Sequence, residues 1–437
     1  MSKAALWRTL IIMNVLPMFH VRQRFARPQV QDPACALRAE LAGCGVRLKP
    51  GSRVAIAVGS RGIANLESLV REIVSWARRL QAEPFIVPAM GSHGGATAEG
   101  QVEVLAGYGI TPDRVGAPVR SSMDVVELPR EACPVPVYFD RLASEADATI
   151  LINRVKPHTS FRGRFESGLM KMLAIGLGKH RQALAIHGLG VPGLRDVMPA
   201  VARQVLAHAN VVLGIAVVEN ACDEIAAVKA IPADRIPVEE PALLELARAN
   251  MPSLPLERID LLIVDEIGKN VSGLGMDPNI IGRLKIRGQP EPDRPGIGVI
   301  LVRDLTSATH GNATGMGLAD IILRRAFAKI DFKATYANVM TTGFLERGKV
   351  PMIVDTDREA LDLATRSVSM PPWPQARVLR IRNTLSLDSL HASAAAVDAL
   401  RGHDGVEIGT PVDPVFTPDG LFARFTAGPD EGCVPAT

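Results

Sequence analysis

Three histidines and two lysines of this 437-residue chain stand in or beside glycine-rich segments. His93 lies in Gly91-Ser92-His93-Gly94-Gly95, His158 follows Lys156-Pro157, and His187 precedes Gly188 and Gly190. Lys171 follows Ser167-Gly168 by three residues, and Lys269 follows Gly268 directly. Glycine leaves a neighbouring side chain without steric cover, so each of these five can reach a small ligand. A histidine, with an ordinary pKa of about 6.5, takes up and returns a proton near neutral pH, and its imidazole nitrogen also ligates metals. Singly, each residue has a plainer explanation, as a surface or capping residue in a tight turn. Their convergence is the signal.

The elements that position them alternate. Arg53–Val58 reads as a strand, Gly59-Ser60-Arg61-Gly62 as a turn, and Asn65 to about Leu80 as a helix with its apolar residues at helical spacing. Pro84–Ala89, the Gly91–Thr97 loop and Ala98–Ala106 repeat the pattern. Further strands are expected at Ala148–Ile152, Val211–Val218, Ile259–Asp265, Gly296–Asp304 and Arg377–Arg382. This alternation predicts an α/β protein of two domains with mainly parallel sheets and an active-site cleft between them. Two prolines in Ala249–Pro255 place the boundary near residue 255, giving a catalytic and cofactor-binding domain over 1–255 and a second α/β domain over 256–437. The Gly- and Pro-rich tail after about 404 is expected to fold back on either domain. In open α/β sheets ligands bind beyond the carboxyl ends of strands, and five such loops carry His, Lys or Arg.

Composition narrows the function. Net charge is +3, with no block of like charges, and only 4% of residues are aromatic. That argues against nucleic-acid and polybasic membrane partners. The five cysteines are odd in number and show no C-x-x-C, which disfavours disulfide scaffolds and cysteine-ligated metals and suits a reducing cytoplasm. The apolar stretch Leu10–Leu16 is too short to span a bilayer. No G-x-G-x-x-G opens the first βα turn, and no H-E-x-x-H is present.

The ordered set Gly91-Ser92-His93, Lys156-Pro157-His158, Ser167-Gly168 with Lys171, His187, and Gly268-Lys269 resembles the nickel-dependent lactate racemase family. The separations are 65, 13 and 16 residues from His93 to His158, Lys171 and His187 in turn. The resemblance runs from about residue 50 to about 345 and implies a nickel pincer nucleotide: a pyridinium dithio mononucleotide tethered to Lys171, with His187 completing the nickel sphere. It implies His93 and His158 as acid/base groups on opposite faces of the substrate. Arg61 and Lys269 become the basic residues that hold substrate carboxylate or cofactor phosphate, with Ser92 beside the cofactor and Glu266 beside the substrate. The implied activity is that of an isomerase, a racemase or epimerase of a 2-hydroxy acid acting by hydride transfer to the cofactor. A small-molecule hydroxy acid and cofactor-synthesis enzymes are then the expected partners, with a homodimer left open.

Departures mark a divergent branch. Val58 stands where the family usually has Asp, Glu266 where it has an amide, and Leu169-Met170 where it tends to have Gly-Arg. A carboxylate at Glu266 would repel a small hydroxy acid unless paired. The Asp304–Asp320 run is assigned no role beyond lining the cleft. Two other readings stay open: an isomerase or dehydratase of a sugar acid that lacks the pincer, and a non-enzymatic small-molecule-binding clamshell.

Overall fold

Uninterrupted apolar runs bounded by turns become strands covered on both faces. A computed structural model describes residues 17–60, 62–131, 133–413 and 415–426. In chain order the strands are β1 (Met18–Gln23), β2 (Arg53–Val58), β3 (Glu83–Pro88), β4 (Val125–Leu128), β5 (Val137–Asp140), β6 (Ala148–Arg154), β7 (Val211–Glu219), β8 (Ile225–Pro232), β9 (Arg258–Val264), β10 (Gly296–Val302), β11 (Ile321–Leu323), β12 (Met352–Val354), β13 (Val378–Ile381), β14 (Ser389–Ser393) and β15 (Val406–Pro411). The described chain forms two compact units, one over 26–251 and one combining 17–25 with 252–426.

The 26–251 unit holds a five-stranded sheet ordered β3-β2-β6-β7-β8, in which the first four strands are parallel and β8 is an antiparallel edge. Five of the six residues of β2 are buried, as expected of a parallel strand with helices on both faces. The helix Leu66–Arg79 lays Leu69, Val70, Ile73 and Ala77 on that sheet, and Pro33–Gly43 adds Leu37 and Leu41. Glu67 in the first turn and Arg78 and Arg79 in the last match the helix dipole. β4 and β5 form a separate hairpin.

In the other unit an eight-stranded sheet runs β12-β11-β10-β9-β13-β14-β1-β15. The first five strands are parallel, and β14, β1 and β15 alternate in direction. Both sheets are thus mixed, with a parallel majority of strands in each. β1 departs from the expected 1–255 domain, because Met18–Arg22 pair antiparallel with Ser389–Ser393. The described part of the tail, to residue 426, stays in the second unit, β15 pairing with β1. Arg61 and the Leu10–Leu16 stretch lie outside the described residues. Among the described residues no helix is long and apolar enough to cross a membrane.

His391 on β14 stacks on Phe425 at 4.5 Å, meets His20 edge-on at 4.8 Å, and bonds through Nε2 to the Thr426 carbonyl at 3.0 Å. Burial lowers its pKa to about 4, although the Thr426 carbonyl pulls the other way. The unfolded chain binds a proton here below about pH 6.5 that the folded chain refuses. Stability from this site is therefore complete above pH 6.5 and is lost as pH falls towards 4, by on the order of 3 kcal/mol. Urea midpoints between pH 7 and 4.5 should show this fall, and His391→Phe should reduce it. An unchanged slope in that variant would contradict the assignment.

Candidate functional site

Because β3, β2 and β6 are parallel neighbours, the loops after them open on one sheet edge. Those loops carry His93, Ser60 and His158 respectively. With β2 between them, the strands leading to the two histidines run about 10 Å apart at ordinary strand spacing. Ser60 Oγ engages His93 Nδ1, and the Ser60 carbonyl accepts from the Tyr108 hydroxyl at 3.0 Å. Ser92 closes the turn by accepting the Ala96 amide at 3.1 Å. Gly91 has φ +59°, and a Cβ there would meet Ile175 Cγ2 at 3.1 Å. Val58, where the family resemblance leads one to expect an acid, is the fully buried last residue of β2.

The His158 loop is closed at its base by reciprocal backbone bonds between Lys156 and Ser167, at 2.9 and 3.1 Å. Its centre is the buried carboxylate of Glu166, which accepts from the His158 amide at 2.6 Å, the Gly163 amide at 3.1 Å and Arg248 Nη2 at 2.6 Å. The imidazole packs on Phe161 at 4.6 Å, and its Nδ1 accepts from the Ser160 amide at 3.1 Å. A ring that accepts at Nδ1 carries its proton on Nε2 when neutral.

Gly168 links this loop to Lys171. Its carbonyl accepts from Asn153 Nδ2 at 2.8 Å, and a Cβ on it would lie 2.5 Å from the Glu240 carboxylate. Glu240 accepts the Met170 amide at 2.9 Å and so caps the turn that bears Lys171. Burial raises the Glu240 pKa to about 7, with the Met170 and Leu169 amides opposing the rise. The helix Ile236–Ala249, which carries Glu240 and Arg248, therefore braces both the Lys171 turn and the His158 loop.

After Leu169–Lys171 the chain makes a π-helical turn over Met172–Gly176, then the helix Lys179–His187. A straight helix would carry Lys171 about 24 Å from His187. Here the two interact: burial and then the Lys171 charge lower the His187 pKa to about 4. The imidazole is neutral at physiological pH, the form that ligates a metal. π-turns of this kind occur often at functional sites. His180 shares the helix with His187, and the π-helical turn ends at Gly176 just before it.

Lys269 and Glu266 belong to the other unit, in the loop after β9. The Lys269 amide donates to Thr309 Oγ1 at 3.0 Å and its Nζ to the Gly273 carbonyl at 2.8 Å. The Asp304–Asp320 run thus supports this loop, also through Thr306 N to the Ile267 carbonyl at 2.9 Å. Glu266 is paired, with Arg382 Nε at 3.3 Å and Asn383 Nδ2 at 3.2 Å. The charge of the Glu266 carboxylate is compensated accordingly.

One unit therefore gathers Ser60, Ser92, His93, His158, Lys171 and His187. Glu166, Glu240 and Arg248 escape the sequence reading, since charged residues in loops and on helices look like solvated surface. Among the described residues no group of three or more His, Cys, Asp or Glu is placed to hold a metal. A metal at His187 would need donors from its own ligand.

No family model matches the chain, and no curated protein does. Among solved structures, the lactate racemase apoprotein from Thermoanaerobacterium thermosaccharolyticum aligns over 84% of this chain and 94% of that one, with a TM-score of 0.52 and 12% identity. The fold is similar to that racemase's. At this identity the likeness is one of α/β architecture, and the individual side chains are argued on their own geometry.

Proposed function

We propose that the protein is a racemase or epimerase of a 2-hydroxy acid that uses a nickel pincer nucleotide on Lys171. The observation that carries this reading is that Lys171 and a half-buried His187 fall on either side of an interrupted helix, near enough for the Lys171 charge to add to burial in keeping the imidazole neutral. That pair offers an amine for covalent attachment and a single imidazole for a metal whose other donors come from the cofactor, so the residues fit the group. Nickel accepts imidazole nitrogen as a ligand, which His187 would supply. When bound, the cofactor supplies a hydride acceptor.

The chain's own residues handle the proton and the substrate. His93, oriented by Ser60, would take the substrate's hydroxyl proton. His158 stands in the Nε2–H form and donates to the substrate oxygen; accepting a proton at Nε2 requires Nδ1 to carry its own proton and release the Ser160 amide. The two histidines therefore have unequal roles at rest. Lys269 and Arg61 are assigned to the substrate carboxylate or cofactor phosphate, and Ser92 to the cofactor. The cytoplasm is the proposed compartment.

Protein coexpressed with cofactor-making enzymes should contain nickel and show added mass on Lys171 by peptide mapping. Active protein with unmodified Lys171 would end this reading. His187→Ala should lose most of its nickel while its circular dichroism stays unchanged, and full retention would remove His187 from the metal site.

A further inference from the structure

We infer that Lys179, acting with Asp140 and Gln101, is a positioning residue that holds the His93 loop against the helix bearing His187; this rests on the reading of His93 as the acid/base group. Lys179 is fully buried, and a buried ammonium persists only where it is paired and hydrogen-bonded. Its Nζ lies 2.9 Å from Asp140 Oδ2, donates to the Pro88 carbonyl at 2.5 Å and reaches Gln101 Oε1 at 3.4 Å. Pro88 ends the strand that leads into the loop, and Gln101 sits on the helix that follows it. The fully buried Gln101 turns its Nε2 back to the Gly91 carbonyl at 2.9 Å and the His93 carbonyl at 3.3 Å. One cation therefore fixes three backbone carbonyls of the segment that presents His93, one directly and two through Gln101.

Stability alone does not account for this arrangement. A buried ion pair is often matched or exceeded in stability by apolar residues of similar volume. An apolar side chain could fill the space but could not grip carbonyls directionally. Lys179 also has φ +53°, a left-handed backbone that a side-chain-bearing residue adopts at a cost. That strained residue begins the helix ending at His187, so the clamp joins the two functional histidines through one rigid element. A direct bond reinforces the link, the Gly91 amide donating to the Gly176 carbonyl at 3.3 Å. Asp140 serves both sides, since its Oδ1 caps the Ala143 amide at 2.8 Å while Oδ2 faces the ammonium.

Two variants test the inference. Gln101→Met keeps the ion pair and removes the grip on Gly91 and His93, whereas Lys179→Met combined with Asp140→Asn removes both charges without leaving one alone. In protein without cofactor, amide hydrogen exchange over residues 91–96 should rise at least tenfold in each variant. The NMR titration of the His93 imidazole should shift, while exchange in β7 stays unchanged. In loaded enzyme, kcat should fall by roughly ten- to a hundredfold at nearly constant KM, the usual consequence of a small misplacement of a reacting group. Unchanged exchange and an unchanged His93 titration in Gln101→Met would overturn the inference, whether or not the double variant folds. A wild type that turns over no hydroxy acid would overturn the proposed function instead, leaving the cofactor-free measurements to decide the role of Lys179.

Discussion

His93→Ala is expected to lower kcat by about 10² to 10⁴, the span typical for loss of a general acid or base, while nickel content and Lys171 modification stay at wild-type levels. The separation of readouts follows from the fold. His93 is an exposed residue on the loop after β3, engaged by Ser60, whereas Lys171 and His187 are anchored through Gly168, Glu240 and the helix Lys179–His187. Because substrate and product fix the equilibrium constant, kcat/KM must fall by the same factor in both directions. The inequality of the histidines shows only in single turnovers, where formation of the keto acid from each stereoisomer is followed separately. His93→Ala should slow that step mainly for one stereoisomer. His158→Ala should affect the other, for which His158 must first leave its Nε2–H form and release the Ser160 amide before it can take a proton at Nε2. Near-wild-type single turnovers of both stereoisomers in His93→Ala would remove it from the chemistry.

What the sequence discloses depends on how local the determining physics is. β2, β3, β6 and the helix Leu66–Arg79 are legible because each buries an apolar run or stripe that is complete within a dozen residues. β1 is not, because its partners Ser389–Ser393 lie some 370 residues away and its own Met-Phe-His-Val-Arg-Gln mixes polar with apolar. β11 and β12 are three residues each, too short to show a period. At the candidate site, His93 and His158 stand out by glycine and proline spacing after strands, and Lys171 and His187 only through the interval that the family resemblance implies. Their supports do not. Glu166, Glu240 and Lys179 are charged residues whose burial follows from partners on other elements: Arg248, the Met170 amide and Asp140. The pairing of Glu266 with Arg382 spans 116 residues, so the carboxylate looks repulsive in the sequence and is compensated in the fold.

The same long-range logic makes Asp357→Ala the substitution with the largest expected effect on stability. Asp357 is fully buried at the start of the helix Asp357–Ala364. Its carboxylate accepts from Arg303 Nε and Nη2, both at 2.8 Å, and from the Phe422 amide at 2.7 Å. Arg303 follows β10 and also meets Asp265 Oδ1 through Nη1 at 2.9 Å, while Arg380 on β13 grips both oxygens of Asp265 at 2.8 Å. Burial works against the Asp265 carboxylate, yet the Arg380 and Arg303 contacts hold its pKa below the usual value. Removing Asp357 leaves the buried Arg303 with a share of Asp265 as its counter-charge and the Phe422 carbonyl at 3.1 Å, a loss of about 3–5 kcal/mol by the usual cost of stranding one member of a buried pair. Replacing both members, as Arg303→Met with Asp357→Leu, strands no charge, and Asp265 keeps Arg380. The double variant should therefore be more stable than Asp357→Ala alone. Chemical denaturation at pH 7 of the wild type, Arg303→Met, Asp357→Leu and the double variant measures the coupling directly. A double variant whose loss equals the sum of the single losses would show that the two side chains act independently, contrary to the two-point contact between them.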